Sequence, residues 1–193
     1  MRHFLVDYEF VMHTGFQLQG MEQIPPEDEI RLFFPDEQHK DEFVRRYPEL
    51  NARRHTRTMI LPESTEICLV SLISYLLGVF WCESPGDEII ILAKKELFSG
   101  LLRAYPESRE NIFVYSSYMR YVRHTWKRER NIMLSRLPLK PEQKEQVAFW
   151  VRRAYCISDP GRRKYKTHNR IEAIIGNGEL LRWVYADVRP FLE

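Results

Sequence analysis

Asp7 and Glu9 stand two residues apart where an apolar run, Phe4-Leu5-Val6, ends. If the stretch from His3 to Val11 is a strand, alternation puts both carboxylates on one face. Acids at the carboxyl end of a strand lie where open α/β sheets bind their ligands. Paired hard-oxygen donors suit Mg²⁺ or Mn²⁺. Such an ion can activate a water and neutralise charge building on a phosphate, which is the chemistry of phosphodiester hydrolysis. A metal reading needs more donors than one pair, because acids at strand ends also cap helices or pair with arginine. Glu66, at the head of an apolar helix, is the best placed, and Asp7 with Glu66 is the expected metal pair. Glu96 and Asp36 follow other strands. Lys94 and Lys95 stand where a further carboxylate is wanted, and there they could instead neutralise Asp7 in a structural ion pair.

A second constellation is basic. Arg120, Arg123, Lys127 and Arg130 recur at i, i+3, i+7 and i+10, one face of a helix, beside an apolar stripe of Met119, Val122, Trp126 and Met133. Tyr118, Tyr121 and His124 are candidates for stacking on unpaired bases, with the cations on phosphates. Arg162-Arg163-Lys164-Tyr165-Lys166 is a second cluster at a helix start, where backbone N–H groups add to anion binding. Residues 1–116 carry 12 Lys/Arg against 19 Asp/Glu, and residues 117–193 carry 17 against 8. A charge run is ordinarily a solvated face. Two clusters in one half, beside an acidic half, point instead to a phosphate-bearing partner.

These residues need a scaffold. Apolar runs at 4–6, 29–34, 88–93 and 111–115, with a polar edge candidate at 51–60, read as five strands alternating with helices. The continuous run Ile89-Ile90-Ile91-Leu92 marks a strand covered on both faces. Helices are expected at 37–47, 65–80 with Ser64 as N-cap, and 95–105. The remainder reads as helices: a basic one from 119 to 130, then 142–155 after Pro141, 162–175 after an Asp159-Pro160-Gly161 turn, and 179–192. The expectation is therefore an α/β domain over residues 1–137, with a central, mainly parallel five-stranded sheet, and a small helical subdomain over 138–193.

Other classes recede. There is no G-x-G-x-x-G or Walker loop, and the six histidines show no H-E-x-x-H spacing. Cys68, Cys82 and Cys156 form no C-x-x-C pair and read as reduced core residues of a cytoplasmic protein. No signal peptide is apparent. Ile67–Cys82 is uncharged for sixteen residues, short of the roughly 20 that a bilayer span needs. It reads as a helix buried on every side, with no membrane partner. Trp183 and Tyr185 read as core.

Asp7-Tyr8-Glu9-Phe10-Val11 resembles the opening Asp-Tyr-Glu-Asn-Val motif of bacterial PIN-like proteins, close to the NYN group of ribonucleases. Glu66-Ile67-Cys68-Leu69 is similar to that family's second acidic motif, with Glu in place of Asp. Ala93-Lys94-Lys95-Glu96-Leu97-Phe98 is similar to the third, with Lys95 at the aspartate's place. His168-Asn169-Arg170, Gly176, Tyr185 and Val188-Arg189-Pro190 are similar to its helical C-terminal segment. The resemblance implies a three-layer PIN-like fold, an acidic cluster binding Mg²⁺ or Mn²⁺, and RNA as substrate. Asp7, Glu9, Glu66 and Glu96 would be the catalytic set. Three readings follow: a metal-dependent ribonuclease, an inactive module that keeps RNA or a protein partner (a second copy included), and a phosphotransfer domain using Asp7 and Lys95.

Overall fold

The computed structural model describes residues 1–104, 111–154, 156–157 and 159–192. Tyr105 and Tyr155, expected as helix ends, lie outside the described residues. Five strands, β1 (Arg2–Asp7), β2 (Glu29–Phe34), β3 (Thr56–Ile60), β4 (Glu88–Leu92) and β5 (Ile112–Tyr115), form one sheet in the order β3-β2-β1-β4-β5. Every neighbouring pair is parallel. The helices between them are α1 (Tyr8–Met12), α2 (Glu37–Arg46), α3 (Pro48–Asn51), α4 (Glu66–Glu83) and α5 (Ser99–Ala104); α6 (Tyr118–Arg136), α7 (Pro141–Ala154), α8 (Pro160–Ile175) and α9 (Glu179–Val188) follow. The chain is thus α/β, with an all-parallel five-stranded sheet between helical layers.

Alternation along the strands divides the sheet's core into two layers. Phe4 and Val6, Ile30, Leu32 and Phe34, and Ile90 and Leu92 pack with Phe43 of α2 and with Tyr118 and Tyr121. Leu5, Phe33, Ile89 and Ile91 face the other way, onto Leu69, Ile73, Leu76, Leu77 and Phe80 of α4 and onto Phe98. Because β1 lies between β2 and β4, Leu5 and Val6 are wholly buried. Gly20 adopts φ +84°, and a Cβ there would stand 3.1 Å from Met119 Sδ and 3.3 Å from the Tyr118 ring, so this turn requires glycine.

Helix α4 is not buried on every side. One flank covers the sheet, while Ile67, Tyr75 and Trp81 are 79%, 68% and 47% exposed. By length and composition alone it could cross a membrane. The cysteines also differ from expectation: Cys82 and Cys156 are exposed free thiols and Cys68 is half-buried.

Contacts divide the chain into Met1–Arg123 and His124–Glu193. The boundary falls inside α6, upstream of the Pro138 break read from sequence, because the first turns of α6 place Tyr118 and Tyr121 in the sheet core. Leu134 and Leu137, further along, belong to the helical unit's own core with Val147, Val151, Ile171, Val184 and Val188. Trp183 is 66% exposed and not part of that core. Asp159-Pro160-Gly161 opens α8 as N-cap and first helical residues, where a free turn was expected.

At the amino-terminal edge of the strands a buried polar cluster closes the sheet. His3 sets Nδ1 2.8 Å from Glu29 Oε2 and Nε2 3.1 Å from Asp87 Oδ2, and its ring stacks on Phe80 at 4.0 Å. Glu29 also accepts hydrogen bonds from Arg31 Nε at 2.9 Å and Arg57 Nε at 3.3 Å. Burial alone would raise the Glu29 carboxyl, but the bonds from His3 and Arg31 outweigh it and bring it down to about 2. A depressed carboxyl stabilises the fold above its unfolded value and loses that stabilisation as pH falls toward about 2. That difference is worth roughly 3 kcal/mol. Urea unfolding of the wild type should therefore weaken between about pH 4.5 and 2. Glu29→Gln should be less stable at pH 7 by roughly 3 kcal/mol and lose less stability than the wild type across that window, where Asp36 and Asp87 still titrate; equal acid slopes would sink the assignment.

Candidate functional site

Strand β1 ends at Asp7, and the chain turns directly into α1. The Asp7 carboxylate makes that turn, with Oδ1 accepting the Phe10 N–H at 3.1 Å as the helix N-cap. Tyr8 and Val11, three apart, then enter the core together. The strand expected to run to Val11 is therefore helical beyond Asp7, and Glu9 sits exposed in the first turn of α1, not on Asp7's strand face. Burial pushes the Asp7 carboxyl up; the Phe10 N–H opposes this, and repulsion from Glu9 and Glu66 adds to it.

The other acids lie on the same edge, each with a local task. Glu66 occupies the first turn of α4, whose cap is Thr65 and not Ser64: Thr65 Oγ1 accepts the Cys68 N–H at 3.1 Å. Lys94, one residue past Ala93 at the end of β4, puts Nζ 3.4 Å from Glu66 Oε1 in an exposed pair. Lys95 and Glu96 stand exposed in a 3-10 turn, Lys95–Phe98. Asp36 caps α2, accepting the His39 N–H at 2.9 Å and pairing with His39 Nδ1 at 2.7 Å, which hold its carboxyl low.

Among the described residues, no group of three or more His, Cys, Asp or Glu is arranged to hold a metal ion. Asp7 is engaged as a cap and Glu66 faces a lysine, so the pair offered for Mg²⁺ or Mn²⁺ is not a free donor set. The ammonium of Lys94 already does part of what a cation would do there. Among the described residues these side chains form no assembled donor set for the metal that the sequence motif implies.

On the basic side, Arg120, Arg123 and Lys127 are exposed on α6, but Arg130 is buried, with its guanidinium 4.7 Å from the Trp126 ring centroid. Tyr118 and Tyr121 are buried against Phe4, at 5.7 and 5.5 Å between rings, so neither is open to a base. Val122, expected in a docking stripe, is 37% exposed. Arg162 and Lys166 are exposed on α8 and Lys164 is half-buried. Arg163 is spent on structure, donating from Nε to the Ile157 carbonyl at 3.0 Å and from Nη1 to the Leu192 carbonyl at 3.4 Å. The helix start expected to receive an anion already has one: the Asp159 carboxylate accepts the Arg162 N–H.

Sequence reading passed over Arg153 as a binding cation and named Arg170 only within the His168-Asn169-Arg170 resemblance. Arg170 lies over the Trp150 ring at 4.6 Å and Arg153 approaches the same ring at 5.9 Å. Their signal was present as spacing: Trp150 and Arg153 at i, i+3 and Lys166 and Arg170 at i, i+4 share helix faces. Which faces meet depends on the packing of α7 on α8, and that is tertiary.

The chain matches no family model, no curated protein and no solved structure. Its site is therefore argued from geometry, and Asp7 supplies the sharpest test. Asp7→Ala removes the cap and should cost about 0.5–2 kcal/mol. Asp7→Asn keeps the acceptor and removes a charge that is unfavourable where it lies. A raised carboxyl adds stability below its unfolded value and loses it as pH rises through the folded one. Asp7→Asn should thus equal or exceed the wild type at pH 7, with the gap closing toward pH 4. Urea titrations followed by circular dichroism check this; alanine and asparagine behaving alike would rule out the cap.

Proposed function

We propose that this chain is a PIN-like nucleic-acid-binding protein that holds single-stranded RNA on its helical unit without cutting it. The observation carrying this reading is the charge of that unit. Residues 124–193 hold 15 Lys/Arg against 8 Asp/Glu, while residues 1–123 hold 14 against 19. Exposed Lys127, Arg162, Lys166 and Arg170 supply phosphate contacts. The argument against hydrolysis is the Lys94–Glu66 pair, which sets a fixed positive charge among the acids that a metal would need. The Asp7 carboxylate has one oxygen on the α1 cap, and Glu66 has one on that lysine.

A second reading, metal-dependent cleavage at the same edge, has one observation in its favour: Glu9 and Glu66 stand near enough to Asp7 to repel its charge. The two readings separate in one experiment. A fluorescent single-stranded RNA should bind, by anisotropy, with affinity falling steeply as salt rises. Lys127→Ala, Arg162→Ala and Lys166→Ala should each reduce the log–log salt slope by about 0.7. With Mn²⁺ or Mg²⁺ present the RNA should stay intact on a denaturing gel. Metal-dependent cutting abolished by Asp7→Asn would establish the enzyme instead, and salt-insensitive or absent binding would remove RNA altogether.

A further inference from the structure

Between α7 and α8, within the helical unit, lies a cavity of about 590 Å³. That falls within the roughly 300–1,000 Å³ of small-molecule sites. Trp150, Arg153, Cys156, Lys166, Thr167 and Arg170 are among its lining residues, and no Asp or Glu is among the described ones. Among the described residues none of the three cations makes an ion pair. Three cations round one concavity, with no counter-charge among the described residues, focus a positive field into it. The Arg170 guanidinium carbon lies 4.6 Å from the Trp150 ring centroid, and a guanidinium so placed carries N–H donors that suit an oxyanion. Thr167, only 2% exposed, and Asn169 add hydroxyl and amide groups to the wall.

We propose that this cavity is a nucleotide site, taking a phosphate on Arg153, Lys166 and Arg170 and an aromatic base against Trp150. The proposal rests on the reading of the helical unit as a nucleic-acid binder and names the part of the ligand it grips. Cations alone would suit any anion. The half-buried indole, with guanidinium carbons 4.6 and 5.9 Å from its centroid, suits an anion that carries a flat ring. The ligand is a free nucleotide or one unit of an RNA strand, since both present the same base and phosphate.

Cys156 provides the readout, as an exposed thiol in the lining, with exposed Cys82 in the sheet unit as an internal reference. The rate of alkylation at each would be followed by peptide mass spectrometry on the full chain. The probes are AMP, UMP, a short single-stranded oligoribonucleotide with and without a 5′-phosphate, and inorganic phosphate. A nucleotide probe should slow Cys156 alkylation saturably, by about tenfold, and leave Cys82 unchanged. Arg170→Gln and Lys166→Gln, both at exposed positions, should each raise the half-protecting concentration about tenfold, as expected for one lost charge-assisted hydrogen bond. Circular dichroism would verify that each variant is folded.

Protection by AMP or UMP assigns a free nucleotide, and protection by the oligonucleotides alone assigns a strand. Absence of protection by every probe overturns the proposal, as does protection untouched by both substitutions. Inorganic phosphate protecting as well as a nucleotide also overturns it, because the base then contributes nothing. RNA that binds by anisotropy yet leaves Cys156 unprotected defeats the cavity and spares the general reading. Nucleotide protection without RNA binding does the reverse.

Discussion

Everything in the sheet unit follows from the burial of β1. With strands paired on both sides and helices over both faces, Phe4, Leu5 and Val6 have no water to meet. Polar groups at the two ends of such a strand must find partners inside the protein, since an unpaired buried polar atom costs about 1–3 kcal/mol. His3 finds Glu29 and Asp87 at one end, and Asp7 finds the Phe10 N–H at the other. The two ends are therefore solved by the same means and for the same reason. A side-chain acceptor at the end of β1 caps α1 whether or not it has chemistry to perform.

This explains why the fold was legible in the sequence and the site was not. Apolar runs of five or six residues separated by helix-length segments leave little freedom: a strand such as Ile89–Leu92 must be covered on both faces, and parallel order follows from the helices between strands. The β2 run Glu29–Phe34, the start of α7 at Pro141 and the edge position of β3 could all be read from residue types alone. Where the reading slipped, one local interaction decided between two periods. Asp7-Tyr8-Glu9-Phe10-Val11 carries polar and apolar residues that suit alternation by two as well as recurrence by three. The cap on Phe10 selects the second.

The basic residues teach the complementary lesson. Spacing put Arg120, Arg123, Lys127 and Arg130 on one helix face, yet a face is not a surface. Arg130 is covered and stacked on Trp126, and Arg163 is bound to two carbonyls. Arg153 and Arg170, separated by a turn in the chain and absent from any run of charge, come together only because Val147, Val151 and Ile171 hold α7 against α8. A charge run announces itself in the sequence; a charge cluster is made by packing.

The two halves handle unlike charge in opposite ways. At the acidic edge several carboxylates have partners: Lys94 faces Glu66, His39 pairs with Asp36, and a backbone N–H serves Asp7, whose charge still stands against burial and the repulsion of Glu9 and Glu66. A further cation there would have to displace partners that are part of the fold. In the helical unit the cost is left standing. Arg153, Lys166 and Arg170 line one cavity, and among the described residues only aromatic rings, Trp150 for Arg170 and Phe149 and Trp150 for Arg153, stand against the two guanidiniums. A charged group whose neighbours already satisfy it gains little from a ligand, whereas uncompensated like charges lose repulsion when an anion arrives. On the proposed reading the cations beside Trp150 are the charges an anion would relieve, while Asp7 and Asp36 each start a helix.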